Sequence, residues 1–382
     1  MNVTLTINGK KVTAPEGTTI LEAAQSAGIY IPALCHHPDL TNVGACRMCV
    51  VSVEKARTLQ TSCTTPVAEG MVVDTESEEA RESRKFTLEM LLTDHPNNCM
   101  TCEANGACEL QDLVYDYGVS WPEHDGFRHS YPIDPDPNPF IAIDRNKCIL
   151  CGRCVRACAE ITNRDVWQFV QRGFRTRVVA GADQPMLDAD CESCGQCVAY
   201  CPTGALFDKM SIGLGRASQV TKTRTTCSYC GVGCNFDLNV RNGKIVRVTS
   251  AEDAPVNGLS LCVKGRYGYD YVHHPDRLTR PLVRANLLSR EELGRRLERG
   301  EWQVRAATAD NDTIAPQAFV ETDWDTALDI VADKLTEIKA TRGGDAIAFL
   351  ASAKCTNEEN YLFNKFTRQV LATNNIDHCA RL

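Results

Sequence analysis

The sequence predicts an α+β protein assembled from several small domains, and three features predict it. Cysteines fall into separate groups along the chain, each at a spacing that metal sites use. Two hairpin signals, Asn8-Gly9 and Asn242-Gly243, stand between short alternating runs that read as antiparallel strands. Strand alternates with helix only after Asp325, which places an α/β segment last. A chain of 382 residues is long enough for roughly two to four domains with cores of their own. The net charge of −8, with no basic stripe interleaved by aromatics, argues against a nucleic-acid partner. No apolar run approaches membrane-spanning length, and Met1-Asn2-Val3 opens no export signal. The 21 cysteines imply a reducing compartment, so a cytoplasmic protein is expected.

In chain order, Val3 to Ile7 alternates as a strand, Asn8-Gly9 turns, and Lys10 to Thr13 returns. Thr18 is placed to cap a short helix through Ala27, with Gly28 as its stop. Cys35, Cys46, Cys49 and Cys63 follow as C-x10-C-x2-C-x13-C. Hairpin, helix and long ligand loop resemble the plant-type ferredoxin plan, but the first gap exceeds the plant-type C-x4-C. The pattern is more similar to the N-terminal domain shared by the large iron–sulfur subunit of respiratory complex I, iron-only hydrogenases and NAD-linked formate dehydrogenases. That resemblance implies a β-grasp [2Fe–2S] ferredoxin-like domain over residues 1–79. His36 and His37 are read as loop residues, because four cysteines already complete the site.

Asp74 to Arg84 is dense in charge and reads as the solvated start of a helix. The helix is expected to run to Leu92, with Phe86, Leu88, Leu91 and Leu92 as its apolar side. It delivers His95, Cys99, Cys102 and Cys108, spaced H-x3-C-x2-C-x5-C. Three cysteines are one short of a cubane; from the residues alone His95 is either the fourth ligand or a surface residue before Pro96. The motif resembles the histidine-plus-three-cysteine [4Fe–4S] domain of the same families, which implies ligation by His95 within residues 80–119. Prolines 122, 132, 135, 137 and 139 then mark residues 120–139 as an extended linker.

Phe140 to Ile143 reads as a strand entering a block over residues 140–212. Cys148, Cys151, Cys154 and Cys158, then Cys191, Cys194, Cys197 and Cys201, each read C-x2-C-x2-C-x3-C. In two-cluster ferredoxins the last cysteine of each run crosses to the other cluster. Cys148, Cys151, Cys154 and Cys201 are therefore expected at one [4Fe–4S] cluster, and Cys191, Cys194, Cys197 and Cys158 at its twin. Zinc knuckles and disulfides fit this spacing poorly. Ala159 stands where Pro202 closes the second run, and leaves the ligand set untouched. Arg153 and Arg156 lie among the ligands; they are either surface charge or cations that raise a cluster's potential.

Cys227, Cys230, Cys234 and Cys262 form a last group, C-x2-C-x3-C-x27-C, across a hairpin of Phe236 to Val240 and Lys244 to Thr249. With Cys262-Val263-Lys264-Gly265-Arg266, it resembles the first domain of molybdenum or tungsten bis-pterin oxidoreductases. The resemblance implies a fifth cluster, also [4Fe–4S], within residues 220–276. It also implies a place for Lys264 between that cluster and the pterin, on the electron path. Cys355 and Cys379 are left over and read as small buried apolar residues.

Residues 277–382 are read as the start of an α/β pterin-binding domain. Leu278 to Val283 continues the family pattern, and Asn286 to Thr313 is a polar insertion. Asp325 to Thr341 is a helix with Leu328, Val331, Leu335 and Ile338 on one face and Gly343-Gly344 as its stop. Ala346 to Ala351 is a buried strand, and Asn357 caps a helix to about Ala372.

Ser352 to Tyr361 and Asn374 to Leu382 resemble segments of cytoplasmic NAD(P)-linked formate dehydrogenase catalytic subunits. That family implies formate oxidation to CO2 or its reverse, and a bis-pterin guanine dinucleotide with molybdenum or tungsten. It also implies partner subunits of the diaphorase type, binding flavin and NAD(P), or hydrogenase subunits. In it, the segment resembling Asp377 to Leu382 precedes the metal-binding cysteine or selenocysteine. The resemblance thus implies a catalytic residue directly after Leu382 and none within the chain, a truncation at a selenocysteine codon read as a stop, and no formate activity for the chain alone. The competing readings are an electron-carrying subunit of a complex I-like NADH dehydrogenase, with an empty pterin-like domain, and an iron-only hydrogenase. In the latter a cysteine-rich hydrogen-cluster domain should follow residue 212, where the bis-pterin-type pattern stands instead.

Overall fold

Strands β1 (Asn2–Ile7) and β2 (Lys10–Pro15) form the expected hairpin in the computed structural model, which describes residues 1–120, 127–301, 303–305 and 319–378. Asn8 and Gly9 both take positive φ, 50° and 79°, the backbone that a two-residue turn between twisted strands requires. The chain divides into two compact units, Met1–Thr226 with Cys234–Tyr269, and Cys227–Gly233 with Asp270–Leu382.

In the first unit, helix α1 (Ile20–Ser26) is capped by Thr19 rather than Thr18. Glu22 returns the bond to the Thr19 amide, completing a capping box one residue later than the sequence suggests. Strands β3 (Val50–Val53), β4 (Gln60–Thr61) and β5 (Val72–Asp74) complete a five-stranded sheet of order β2-β1-β5-β3-β4, in which only β1 and β5 run parallel. Leu5, Ile7, Ile20, Leu21 and Val51 fill the space beneath it together with Cys49 and Cys63.

Helix α2 (Glu78–Asp94), capped by Ser77, starts after the first charged residues, runs two residues past Leu92, and is less solvated at its start than expected. Arg84 is fully buried and donates to the carbonyls of Val50 and Thr75 and to Tyr117 Oη. It reads as surface charge in the sequence because nothing local shows the edge of β3 lying against this helix. Phe86 faces outward, and the helix packs instead through Leu88, Leu91 and Leu92 against α3 (Glu109–Asp116).

Residues 127–139 form no helix or strand, yet they are tied down rather than free. Arg128 donates to Thr93 O, the His129 ring lies 2.7 Å from an Asp94 carboxylate oxygen, and the Tyr131 amide donates to Asn146. Pro122 lies outside the described residues. The two cysteine runs then sit in a pseudo-repeat. Strand β6 (Ile141–Ile143) precedes one ligand loop and α4 (Arg153–Arg156), while β7 (Trp167–Val170) and β8 (Arg177–Ala180) form a hairpin. The second loop, α5 (Gln196–Ala199) and β9 (Leu206–Asp208) follow, with β9 returning to pair antiparallel with β6.

A three-stranded antiparallel sheet of β10 (Thr221–Thr226), β11 (Asn235–Arg241) and β12 (Lys244–Ser250) is followed by α6 (Val263–Tyr267). Strand β10, with Lys222 and Arg224 among its threonines, carries no apolar alternation and is not legible beforehand.

In the second unit, β13 (Leu282–Arg284), β14 (Gln303–Arg305) and β15 (Phe319–Glu321) form a small sheet. Helix α7 (Arg290–Glu298), capped by Ser289, occupies part of the stretch expected as a polar insertion. The remainder from residue 306 to 318 lies outside the described residues. Helix α8 (Trp324–Arg342), capped by Asp323, leads to β16 (Phe349–Ala351). Helix α9 (Asn357–Gln369), capped by Thr356 rather than Asn357, leads to β17 (Ile376–His378), parallel to β16. This is the expected strand–helix–strand alternation. The strand expected to be buried is not: Leu350 is 85% exposed, and Leu328 and Val331 of α8 are 57% and 52% exposed. Two strands flanked by two helices have too little surface to cover all their apolar side chains.

Candidate metal centres

All the described cysteines are free thiols, as a metal-binding rather than a disulfide framework requires. Among the described residues no group of three or more His, Cys, Asp or Glu side chains is drawn in closely enough to hold one metal ion. Two of the groups line cavities: Cys99, Cys102 and Cys108 one, and Cys148, Cys151, Cys154 and Cys201 another.

At the first group, Cys35, Cys49 and Cys63 are buried and Cys46 is half-buried. Cys35 accepts from the thiols of Cys46 and Cys63, which holds its own proton affinity well below the usual thiol range and pushes theirs up. Cys49 is lowered to about 6 by its bond with Cys63. The four sulfurs are thus linked in one series, Cys46 to Cys35 to Cys63 to Cys49. The Cys46 amide points at Cys35 Sγ and the Leu34 amide at Cys46 Sγ, both at 3.4 Å, the sort of backbone donor that favours a thiolate. His36 turns its Nδ1 to Asn42 Oδ1 at 2.6 Å, and His37 packs edge-on against the Tyr200 ring, its pKa lowered to about 4 by burial.

His95 ends α2 as its C-terminal cap and lines one small cleft with Cys99, Cys102 and Cys108. Its pKa is lowered, chiefly by burial, so the imidazole is neutral at neutral pH. Nδ1 lies 3.1 Å from the Pro96 carbonyl, which selects the tautomer with the proton on Nδ1. Nε2 is buried and makes no hydrogen bond among the described residues. A backbone carbonyl on one ring nitrogen and a bare lone pair on the other is the arrangement of a metal-ligating histidine. Gly204 closes the far side: a Cβ there would stand 2.6 Å from Cys102 Sγ, so only glycine lets the two loops meet.

Cys148, Cys151, Cys154 and Cys201 line one cavity of about 50 Å³. Burial pushes Cys148 up to about 11 and Cys151 to about 12, and both feel the charge of Cys201. Cys158 instead acts electrostatically on Cys191, Cys194 and Cys197. The loops share one backbone, with positive φ at Leu150 and Gly152 in the first and at Ser193 and Gly195 in the second. A leucine at φ 54° is uncommon and marks a conformation that the site, not the residue, demands. Ala159 has its own consequence, for α4 continues into a π-helical turn, Ala157–Ile161, that carries Cys158. Proline lacks an amide hydrogen, and Pro202 ends the second run after Cys201.

In the last group Cys227 and Cys234 are half-buried, and Cys230 and Cys262 are exposed. Cys262 stands at the N-cap position of α6 without a side-chain capping bond, and Lys264, two residues on, is exposed. Arg266, which sequence reading left without a role, is buried and donates to Cys194 O, Gln196 Oε1, Ser250 Oγ and Leu259 O. Arg153 and Arg156 are likewise buried rather than surface charge, and Arg153 grips Glu109 with both Nη atoms. Only the motif after Cys262 hinted at the first, and only the position among ligands at the other two. Cys355 is half-buried, and Cys379 lies outside the described residues.

Comparison with known proteins matches five family models in succession. They are a 2Fe-2S iron–sulfur cluster binding domain at residues 1–78 and the NADH-ubiquinone oxidoreductase-G iron–sulfur binding region at 84–122. The ferredoxin-like domain of NADH-quinone oxidoreductase subunit 3 follows at 138–207. The molybdopterin oxidoreductase Fe4S4 domain matches 220–274, and molybdopterin oxidoreductase 277–382. The chain is 37% identical over its whole length to the NADPH-Fe(3+) oxidoreductase subunit alpha of Geobacter sulfurreducens, covering 40% of that protein. It is 30% identical to a "putative formate dehydrogenase" of Staphylococcus aureus, covering 39% of it. The chain thus spans about two fifths of the length of these curated relatives. A solved chain of an NAD+-reducing [NiFe]-hydrogenase is 35% identical with a TM-score of 0.50, over 56% of this chain and 90% of that one. No helix among the described residues is long and apolar enough to cross a membrane. The chain belongs to the oxidoreductase family that joins NADH-ubiquinone oxidoreductase-G-like iron–sulfur domains to a molybdopterin oxidoreductase domain.

Proposed function

We propose that this chain is the electron-relay part of a cytoplasmic formate dehydrogenase, carrying one [2Fe–2S] and four [4Fe–4S] clusters. The observation that carries the relay is the sorting of the two cysteine runs: Cys201 joins Cys148, Cys151 and Cys154 at one cavity, and Cys158 joins the other three. Cys35, Cys46, Cys49 and Cys63 would hold the [2Fe–2S] cluster, and His95, Cys99, Cys102 and Cys108 a cubane. Cys227, Cys230, Cys234 and Cys262 would hold the last. When bound, the clusters supply one-electron acceptors whose potentials depend on charge, ligands and solvent access. The protein buries Cys35, Cys49 and Cys63 of the first set, points amides at Cys35 and Cys191 Sγ, and keeps water from the Cys154 and Cys197 thiols.

Formate as substrate is supported by the Ser352 to Tyr361 segment and by the likeness to the Staphylococcus aureus protein. A bis-pterin guanine dinucleotide with molybdenum or tungsten would bind the C-terminal domain, with Lys264 on the path from it. A flavin-containing NAD(P)-linked subunit would take the electrons. A second reading has a specific support: the Geobacter sulfurreducens relative, at higher identity, is named for NADPH and Fe(3+). The relay would then carry electrons from NADPH toward iron(III), without formate. A complex I-like or hydrogenase-associated carrier is a variant of this second reading, supported by the likeness to the hydrogenase chain.

Anaerobically purified whole enzyme decides between them. Formate-dependent dye reduction, with molybdenum or tungsten and iron beyond the relay's own share of about 18 atoms, is the expected result. Brisk NADPH-dependent iron(III) reduction with no response to formate would establish the second reading instead.

A further inference from the structure

The gap between Cys35 and Cys46, ten residues where plant-type ferredoxins have four, has a structural use. The loop it creates lies against α4 and α5. Leu40 packs with Ala157 and Tyr200, Tyr200 Oη donates to Asp39 at 2.9 Å, and the Thr41 amide donates to Glu160 at 2.8 Å. At the centre of this contact is Arg156. Its Nη1 donates to Thr41 O at 2.6 Å, and its Nη2 donates to Cys35 O at 2.6 Å and to Cys151 O at 3.2 Å. One guanidinium thus binds the peptide carbonyls of two cysteines from different candidate centres, Cys35 of the first and Cys151 of the third.

Arg156 is 9% exposed and makes no ion pair among the described residues, whereas its neighbour Arg153 is matched by Glu109. A buried cation needs compensation, and three carbonyl oxygens supply only partial charges. Thiolate-ligated clusters carry net negative charge that grows by one on reduction. Resting on the cluster assignments proposed above, we infer that Arg156 is a shared counter-charge and positioning residue for both centres. It holds their ligand loops at one contact and raises the reduction potential of each. Transfer between the centres moves one electron from the reduced member to the oxidised one; no bond forms or breaks, and the guanidinium keeps its proton throughout.

The test uses whole protein isolated anaerobically as wild type, Arg156→Gln and Arg156→Lys. Iron is counted, and redox titrations follow the electron paramagnetic resonance signals. Expected for Arg156→Gln is unchanged iron, with the [2Fe–2S] signal and one [4Fe–4S] signal shifted to lower potential while the remaining signals stay. Arg156→Lys keeps the charge and should restore both potentials, but it cannot span the three carbonyls, so freeze-quenched electron exchange between the two signals should slow. Unmoved potentials in Arg156→Gln, or an equal shift of every signal, overturn the inference. Should the Gln variant lose iron, unchanged exchange in the Lys variant overturns it equally. A wild type that lacks the [2Fe–2S] signal overturns the cluster assignment itself, an outcome distinct from the other two.

Discussion

His95 owes its chemistry to position. As the cap of α2 it leaves the helix just where burial disfavours its charge and Pro96 O accepts the hydrogen bond from Nδ1–H. His95→Ala is expected to lose that cubane or leave a three-iron form. His95→Cys should keep the iron but lower the potential, since a thiolate adds negative charge where the imidazole has none. Iron analysis and a redox titration of the two variants check this, and a His95→Ala protein with the iron and spectrum of the wild type would make His95 a packing residue. The buried thiols give a second expectation. Cys108, Cys148 and Cys151 are pushed up to about 11, 11 and 12, against about 8.5 in an unfolded chain. Folded metal-free protein therefore binds these protons more tightly than unfolded protein does. Their contribution to stability is full below about pH 8.5 and is lost as pH rises toward about 12. Urea midpoints of the metal-free protein under reductant should fall between about pH 8 and pH 10, whereas cluster-loaded protein, already deprotonated at sulfur, should hold its midpoint.

Helix α2 shows at the next scale why an element cannot be judged from its own residues. Its first turns carry Glu78, Glu79, Arg81, Glu82 and Arg84, a run that reads as solvent-facing throughout. Four of these face outward or nearly so, while Arg84 turns inward to close the backbone of β3 and the segment after β5. Arg84→Met, similar in volume, leaves Val50 O, Thr75 O and Tyr117 Oη without that donor. A loss of about 2–4 kcal/mol is expected from unsatisfied buried groups. Chemical denaturation measures it, and a loss under about 0.5 kcal/mol, the range of an ordinary surface change, would mean water replaces the guanidinium freely. Two helix caps were legible to within a residue: Thr19 for Thr18 and Thr356 for Asn357. The competing candidates are adjacent and chemically alike, and only the chain's entry direction chooses between them.

Across the whole molecule, chain order and spatial order part company. The third centre touches the first through Arg156, and its Pro202-Thr203-Gly204 loop meets Cys102 and Cys108 of the second. The sequence by itself determined which cysteines are candidate metal donors, because a cluster loop needs its cysteines at fixed intervals that no packing argument alters. It determined the hairpins at Asn8-Gly9 and Asn242-Gly243 too, since positive φ at two successive positions is a local demand. Only the tertiary structure decided that Arg84, Arg153, Arg156 and Arg266 are interior residues. A guanidinium is buried only where distant carbonyls converge to receive it, at Val50 and Thr75, at Ala33, at Cys35 and Thr41, and at Cys194 and Leu259. Convergence of that kind is a property of the folded chain and leaves no mark on the spacing of its residues.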